Sequence, residues 1–511
     1  MNSVSIKNKK IAKNTLFLYI RLFLVMIISL ITVRVLLRTL GIEDYGTYNA
    51  IAGFISSMVF ISSVLSAASQ RFFSFYMGKN DTEQLQKAFT MILLTYIIVI
   101  AIVLLLAETL GLWFVFNKMT IPVERSSVIM CVYQMALLTC CFSLLSNPFQ
   151  ALIISHEEMN IYASISIVEV MLKLAIIFLL PIIPVDKLAL YSILHCIVFL
   201  GIGLTYVLIG YKRYKESHFS LKLWDKYMFK DIFSYSSWSL FGSLAGMCNT
   251  QGVNMLLNVF YGPLANAAYA ISAQISAAVS QFSSNFYTAV RPALIKSYAS
   301  KEYDYMNKLF MLSNKVIFIL MLILILPIYV VTEPLIKIWL GSVGQYMIEF
   351  TRLSLAYTFL LCLSNPITTI VQAANKVKLY HGIVDTFTLF SLPIIYILFR
   401  CGISPIYAYV TTVIIFTFAH ILRLLVMRKA ITFSIKDYFI KFIVPSIMSL
   451  IFSFLLISLT SYFKWNNILL EIFVNALYAV LIATIACMLF VLSQEEKSML
   501  WYLIKSKIQK K

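Results

Sequence analysis

Residues 145–162 read LSNPFQALIISHEEMNIY, and residues 363–380 read LSNPITTIVQAANKVKLY. The two stretches align without a gap at an offset of 218 residues, and they share LSNP near one end and Tyr at the other. Each has the pattern of one apolar segment followed by the start of the next, and we expect Pro148 to end the first segment. A gapless match of this kind predicts that the chain contains an internal duplication.

The composition defines the class of protein to which this duplication belongs. Of 511 residues, 61% are hydrophobic and 12% are charged, and the mean hydropathy is +0.88. A chain with so little polar surface cannot cover a soluble globule, and its apolar runs repeatedly reach the roughly 20 residues that cross a bilayer as a helix. The sequence therefore predicts an all-α polytopic membrane protein.

The N-terminal segment, MNSVSIKNKKIAKN, is basic and precedes an apolar span that is interrupted by Arg21 and Arg34. That span is longer than the apolar region of a signal peptide and has no clear cleavage site, so we expect a retained first helix. Eight cysteines lie scattered through apolar spans without a CxxC motif, and five histidines show no metal-ligand spacing. Neither a disulfide framework nor a metal site is predicted.

Apolar runs between polar breaks predict fourteen transmembrane helices. They lie at approximately 14–38, 47–70, 88–116, 127–150, 159–182, 188–211, 232–258, 264–290, 309–331, 347–372, 379–399, 404–427, 438–462 and 467–492. If the N-terminus is cytoplasmic, the inside segments hold 29 of the 41 Lys and Arg residues, the outside loops hold 7, and 5 lie within spans. Because cytoplasmic loops accumulate Lys and Arg, both termini are predicted to be cytoplasmic. The net charge of +19 is then mostly a topology signal, together with contact to anionic lipids.

Two further pairs of markers extend the duplication along the chain. Tyr45-Gly46 matches Tyr261-Gly262 at an offset of 216, and Arg71 matches Arg291 at an offset of 220. The first six predicted helices thus correspond to the next six in the same orientation, and such parallel repeats build two lobes with a substrate path between them. The predicted domains are an N-terminal lobe at 1–215, a C-terminal lobe at 216–430, and an extra helix pair with a basic tail at 431–511.

The pattern LGxxxYGxY at residues 40–48, followed by Ser-Gln-Arg at residues 69–71, is typical of one family of transporters. With the duplicated lobes and the extra helix pair, the chain resembles the polysaccharide transporter branch of the MOP superfamily, the Wzx-type flippases, and this resemblance implies a MATE-like fold. It also implies that an undecaprenyl-pyrophosphate-linked oligosaccharide moves by alternating access from the cytoplasmic to the periplasmic leaflet of the bacterial inner membrane. Such transport serves O-antigen lipopolysaccharide or capsule biosynthesis, and it needs neither an enzyme's catalytic residues nor a cofactor. The implied partners are membrane lipids and the polysaccharide polymerase machinery, and no nucleic acid is expected.

Charged and polar residues inside predicted helices are the candidate substrate ligands. A cationic side chain at mid-bilayer costs about 2.5–3.5 kcal/mol on insertion scales, so it usually faces a cavity or a partner. Guanidinium groups suit the oxygens of a pyrophosphate, and amides suit the hydroxyls of a sugar. The predicted substrate-binding residues are Arg21, Arg34, Arg38, Lys173, Arg291, Arg352, Gln251, Asn254 and Gln274. Glu169 with Lys173, and Glu349 with Arg352, have the spacing of structural ion pairs, and this alternative stays open.

Asp385 is the candidate for energy coupling. It lies in an otherwise apolar predicted helix without a basic residue three or four positions away, apart from His381. The resemblance extends to the lipid II flippases and implies a sodium site in the C-terminal lobe, to which Asn254, Asp385 and Thr412 would contribute oxygen ligands. Coupling to either Na⁺ or H⁺ is compatible with the sequence, and so is a structural hydrogen bond between Asp385 and His381.

Other functions account for the sequence less well. A membrane glycan polymerase or ligase needs a sizeable outside loop for its catalytic residues, and every predicted outside loop is short. No Gly-rich nucleotide-binding loop supports an ATP-driven pump. A MATE-type ion-coupled exporter of small molecules is the nearest alternative, but export of cations would favour acidic residues in the membrane.

The resemblance to the lipid II flippases implies that the extra helix pair forms a groove for a polyprenyl tail. The alternative is that the pair only packs against the lobes.

Overall fold

The computed structural model describes residues 3–40, 44, 48, 59–118, 125–341, 343–458 and 467–498. Within these residues the chain consists of helices joined by short turns and contains no strand. The helices of the first half are α1 (Ser3–Leu40), α2 (Val59–Gly78), α3 (Thr82–Leu106), α4 (Leu112–Lys118), α5 (Ser126–Ser155), α6 (Met159–Leu179) and α7 (Lys187–Arg213). A long segment, α8 (Lys226–Ala299), follows.

The second half consists of shorter helices, several of which are joined end to end. They are α9 (Tyr303–Val330), α10 (Thr332–Leu340), α11 (Met347–Leu363), α12 (Asn365–Ala373), α13 (Val377–Tyr380), α14 (Thr386–Leu389), α15 (Ser391–Arg400), α16 (Tyr407–Arg428), α17 (Ile435–Tyr438), α18 (Val444–Ile457) and α19 (Ile468–Ala486). One-turn π-helical segments interrupt this path, and two of them are His381–Asp385 and Cys487–Val491.

Eleven helices in the described residues are long and apolar enough to cross a membrane. The predicted class of an all-α multi-pass membrane protein is therefore confirmed. The three remaining predicted helices fall on α2 (Val59–Gly78) and on the two arms of α8. The total of fourteen spans stays a prediction.

A single glycine divides α8 into its two arms. Gly262 has φ 76° and ψ −169°, a backbone conformation that residues with a Cβ avoid. The predicted Tyr-Gly marker therefore coincides with a sharp turn, and the hydroxyl of Tyr261 donates a hydrogen bond to the carbonyl of Ile403, between α15 and α16. The corresponding marker, Tyr45-Gly46, lies outside the described residues.

The repeated corner has the same backbone in both copies. In the first copy α5 ends at Ser155 and α6 begins at Met159, and in the second α12 ends at Ala373 and α13 begins at Val377. The residue midway between the helices adopts a left-handed conformation in each, with φ 61° at Glu157 and φ 56° at Asn375. These two residues are separated by the 218-residue offset read from the sequence. The gapless alignment thus places two equivalent turns at the ends of these helices.

The expectation that Pro148 ends its helix is wrong. Pro148 lies inside α5, which continues to Ser155, whereas Pro366 stands in the first turn of the separate helix α12. A proline removes one backbone hydrogen bond, but neighbouring groups in a membrane bundle can compensate for the loss. Next to Pro148, the Asn147 side chain donates a hydrogen bond to the hydroxyl of Ser62 on α2.

The chain divides into two compact units. The first contains Met1–Ser243 and Thr288–Lys301, and the second contains Leu244–Tyr287 and Glu302–Lys511. In the first unit, Leu36 and Leu40 of α1 pack with Ile177 of α6 and Tyr191 of α7. The predicted domain boundaries at 215 and 430 stay predictions.

The core of the second unit joins helices from distant parts of the sequence. Leu257 and Tyr269 of α8 pack against Phe350 of α11, Ile395 of α15 and Tyr409 of α16. This packing places α8, α11 and α16, which carry polar residues, side by side.

The last helices are attached to the second unit by a buried charge. Lys315, on α9, is 8% exposed, and its Nζ lies 2.8 Å from Oε2 and 3.0 Å from Oε1 of Glu496. Glu496 follows the π-helical segment that ends α19, and one of its oxygens also accepts a hydrogen bond from the backbone N–H of Ser493. The basic residue predicted within an apolar span is therefore neutralised by a carboxylate far away in sequence.

Candidate functional site

The second unit contains a polar pocket of about 230 Å³ between α8, α11 and α16. Its wall consists of hydroxyl, aromatic and small side chains. The lining residues are Asn249, Thr250, Tyr269, Ala273, Ser276, Ala277, Ser280, Ser354, Tyr357, Thr358, Leu361, Tyr409 and Thr412. All of them belong to the described part of the chain, and none carries a charge.

Hydrogen bonds hold most of the pocket wall in place. Ser276 donates to Ser354 across 2.8 Å, and the hydroxyls of Ser272 and Tyr409 lie 2.7 Å apart. The rings of Tyr269 and Tyr409 stack with their centroids 5.2 Å apart. These contacts preorganise the wall, which is a requirement for selective binding.

Two hydroxyls of the wall remain available to a ligand. Tyr357 and Thr358, on adjacent positions of α11, make no hydrogen bond to the residues that the structure describes. Neutral hydroxyls beside tyrosine rings match the chemistry of a sugar, whose faces are apolar and whose edges both donate and accept hydrogen bonds. The pocket therefore suits an uncharged, hydroxyl-rich group.

Arg21, one of the predicted substrate ligands, lies beside an aromatic ring, and its binding role stays a prediction. Its guanidinium lies 4.7 Å from the centre of the Tyr162 ring, and its Nε is buried without a hydrogen-bond partner in the described residues. The side chains of Arg34 and Arg38 lie outside the described part of the structure. Their predicted roles therefore stay predictions.

Lys173 forms an ion pair with Glu169, four residues earlier on the same helix. Its Nζ lies 2.6 Å from Oε1 of Glu169 and 4.1 Å from the centre of the Phe199 ring. Arg352 differs, because its Nε donates to the carbonyl of Tyr329 across 3.3 Å, and no ion pair with Glu349 occurs among the described residues. A structural pair therefore exists at the first position but not at the second.

The remaining predicted ligands lie in varied surroundings. Arg291 donates to the carbonyl of Ala67 across 3.0 Å within the first unit. Asn254 accepts a hydrogen bond from Asn266 across 2.8 Å, which ties the two arms of α8 together beside Gly262. Gln251 and Gln274 are exposed and do not line the polar pocket.

The three predicted ion ligands make separate contacts. Asp385 lies 2.5 Å from Nδ1 of His381, which is the structural contact that the sequence left open. Thr412 lines the polar pocket and donates to the carbonyl of Ala408 across 2.8 Å, while Asn254 is bonded to Asn266. The described residues contain no group of three or more metal-ligating acidic, histidine or cysteine side chains. Ion coupling through Asp385 stays a prediction.

Sequence analysis missed two buried polar residues on α16. Arg423 is 4% exposed and His420 is 8% exposed, and neither is among the predicted ligands although both lie within the predicted helix 404–427. The signal that could have found them is the run TFAHILRLLVM, in which a histidine and an arginine stand three positions apart inside apolar sequence. On a helix that spacing places both side chains on one face.

The corner between α5 and α6 lies outside the membrane-spanning segments and forms a charge cluster in the first unit. The Glu157 carboxylate lies 2.8 Å from Nζ of Lys296 and 3.3 Å from Nζ of Lys10, and its side chain is 12% exposed. Asn14 donates to the Glu157 carbonyl across 2.9 Å. Burial alone raises the pKa of Glu157, but Lys296 and then Lys10 outweigh it and hold the pKa below its ordinary value.

Glu157→Gln is expected to lower the free energy of unfolding by about 1–3 kcal/mol at neutral pH, because it removes the largely buried carboxylate charge that pairs with Lys296 and Lys10. Since the folded pKa is depressed, the stabilisation is present above the ordinary carboxyl pKa and is lost as the pH falls through the folded value. Thermal unfolding in detergent at pH 7 and in mild acid measures both effects. Glu83→Gln is the control, because Glu83 pairs with Lys87 while 72% exposed. An equal loss in both variants would contradict a special role for the corner.

Comparison with known proteins places the chain in a family. Residues 11–298 match the family described as polysaccharide biosynthesis protein. No curated protein matches the chain at a significant level.

Solved structures of transporters share the fold. A mutant MATE protein superposes with a TM-score of 0.70 at 12% identity, covering 84% of this chain and 98% of its own. A MOP superfamily transporter from Pyrococcus furiosus, described as having a binding pocket of reverse polarity, gives 0.68 at 13% identity with the same coverage. A mutant MATE transporter from Vibrio cholerae gives 0.65 at 16% identity, again covering 84% and 98%. The resemblance read from the sequence is confirmed: the chain has the fold of these MATE and MOP transporters, and it is a multi-pass membrane protein that belongs to the polysaccharide biosynthesis protein family.

Proposed function

We propose that the protein is a flippase that moves an undecaprenyl-pyrophosphate-linked oligosaccharide from the cytoplasmic to the periplasmic leaflet of the bacterial inner membrane. Both termini lie in the cytoplasm, in accordance with the excess of Lys and Arg in the inside segments. The transported glycan serves surface polysaccharide biosynthesis, and the polymerase that extends it is the expected partner. Family membership and the MATE-like fold support transport rather than catalysis.

The observation that supports a glycan most directly is the uncharged polar pocket of the second unit. With about 230 Å³, it is smaller than the roughly 300–1,000 Å³ of typical small-molecule sites, so it accepts part of an oligosaccharide rather than the whole. A MATE-type exporter of small molecules is the second candidate, because the fold is shared. For a cationic substrate, however, the pocket offers no carboxylate.

The combined variant Tyr357→Phe with Thr358→Val is expected to reduce flipping roughly tenfold, because it removes two hydroxyls that are worth about 0.5–1.5 kcal/mol each. Both changes keep the shape of the side chain. The measurement is leaflet-resolved detection of the lipid-linked glycan in cells, together with surface polysaccharide and the amount of protein in the membrane.

The matched control is Tyr407→Phe with Thr417→Val, which removes the same two groups from exposed positions of α16 outside the pocket. Wild-type flipping by the pocket variant would show that the glycan binds elsewhere. If cells without the protein keep a normal leaflet distribution of the glycan, the proposed function itself is wrong. Sensitivity of those cells to small toxic cations would instead favour the exporter.

A further inference from the structure

Arg423 of the second unit is a buried cation that forms no ion pair with the residues described by the structure. Its Nε donates to the hydroxyl of Tyr380 across 3.0 Å, and that hydroxyl lies 2.9 Å from Oγ1 of Thr368. Its Nη1 is buried and has no hydrogen-bond partner in the described residues. The ion pairs formed by these residues do not include Arg423. Arg423, which is 4% exposed, therefore carries a buried N–H donor group that meets no acceptor in the described residues.

His420 adds a second set of unused polar atoms at the same place. It precedes Arg423 by three positions on α16, so both side chains lie on one helix face. Its two ring nitrogens are buried, and neither has a hydrogen-bond partner among the described residues. A neutral imidazole carries one N–H donor, so the pair offers donors from two different side chains.

The pair lies next to the polar pocket. The ring of Phe416 is 4.8 Å from the ring of Tyr357, which lines the pocket. On its other side, Phe416 lies 5.5 Å from the Arg423 guanidinium carbon. One aromatic side chain therefore connects the pocket wall to the buried cation.

A purely structural arginine would be expected to have a carboxylate partner here. Leaving a cation unpaired in a low-dielectric interior is costly, and orphaned buried donors are rare in native proteins. Asp385, in the π-helical segment that packs against α16, is already bonded to His381 at 2.5 Å. The acceptor that Arg423 lacks must therefore come from outside the described residues.

We propose that Arg423 and His420 form a binding site for an anionic group of the transported molecule, next to the pocket that receives its neutral hydroxyls. The planar guanidinium donates in parallel to two oxygens of a carboxylate or a phosphate, and the imidazole N–H adds a third hydrogen bond. This inference rests on the proposed function for the identity of the substrate. The group is then the carboxylate of an acidic sugar or a phosphate of the carrier.

The test uses the full-length protein purified in detergent, with binding followed by the rise in thermal stability that a ligand produces. The probes are glucuronate for a sugar carboxylate, inorganic pyrophosphate for a phosphate, and glucose as the neutral match of glucuronate. Arg423→Gln is expected to weaken binding of the anionic probe roughly 10–100-fold and to leave glucose unchanged.

Arg400→Gln is a closely matched control. Its Nε also donates to a tyrosine hydroxyl across 3.0 Å, in this case Tyr396, and its guanidinium lies 5.4 Å from that ring. It differs in being exposed. The control variant is therefore expected to bind all three probes like the wild type.

The outcomes separate the possibilities. Binding of glucuronate alone identifies a sugar carboxylate, and binding of pyrophosphate alone identifies a carrier phosphate. The site is disproved if neither anion stabilises the wild type, or if Arg423→Gln binds them equally well. Should Arg423→Gln fail to fold, His420→Ala decides, because loss of the second donor must weaken the anion several-fold. The binding assay with purified protein does not measure flipping. A failure of the anion site and a failure of the proposed flipping in cells can therefore be told apart.

Discussion

Arg21→Ala is expected to lower surface glycan and lipid-linked glycan in the outer leaflet at least tenfold, with the amount of protein in the membrane unchanged. The guanidinium lies over Tyr162, and its Nε has no partner in the described residues. A charge-assisted hydrogen bond to a phosphate is worth about 1.5–3 kcal/mol, which corresponds to roughly 10–100-fold in binding. Leaflet-resolved detection of the glycan and immunoblotting of membranes measure the two quantities.

Arg21→Lys is expected to restore part of the activity, because it keeps the charge but not the forked geometry. Lys13→Ala is the control on the same helix, since Lys13 is also basic and lies 5.9 Å from the ring of Phe17, yet is exposed. Wild-type flipping by Arg21→Ala would remove this residue from the substrate site. Loss of the protein from the membrane would instead assign Arg21 a structural role.

Glu496→Gln is expected to give the largest loss of stability among simple substitutions of charged residues. It leaves Lys315, which is 8% exposed, without the carboxylate that neutralises it. Breaking a fully buried pair costs about 3–5 kcal/mol, and because Glu496 is 28% exposed we expect about 2–3 kcal/mol. Thermal unfolding of the purified protein measures the change.

Asp437→Asn is the control, because Asp437 and Lys441 form an exposed pair in the same unit and such pairs contribute about 0–1 kcal/mol. The double variant Lys315→Met with Glu496→Gln should recover most of the stability, since it removes the isolated charge as well as its partner. A double variant less stable than Glu496→Gln would show that Lys315 stabilises the fold by other contacts.

Much of the fold was predictable because it depends on local patterns. Apolar runs predict membrane helices, and the repeated corner predicts that Glu157 and Asn375 occupy equivalent positions. The continuation of α5 beyond Pro148 was not predictable, since a proline ends or merely interrupts a membrane helix according to its neighbours. The assignment of residues 288–301 to the first unit likewise depends on tertiary packing.

The candidate site was predictable only where partners are close in sequence. Glu169 and Lys173 stand four apart, so their pairing was one of two possibilities that the sequence left open. The partner of Lys315 is 181 residues away, and the polar pocket combines side chains from three distant helices. Arg423 lies within the predicted helix 404–427, but the sequence pattern does not show that its side chain is buried, because an arginine near the end of an apolar run usually reaches the membrane surface. Burial, which decides its significance, follows from the packing of other helices.

The long separation between Lys315 and Glu496 also affects how the chain is made. At about 5–20 residues per second, a ribosome needs roughly 10–40 s to synthesise the 181 residues between them. During that interval α9 carries an unpaired ammonium, so it is poorly suited to lipid until the final helix has been inserted. We therefore expect α9 to reach its stable position in the bilayer only after Glu496 has been synthesised. A chain that terminates early would expose this charge to membrane quality control, which would remove the incomplete product.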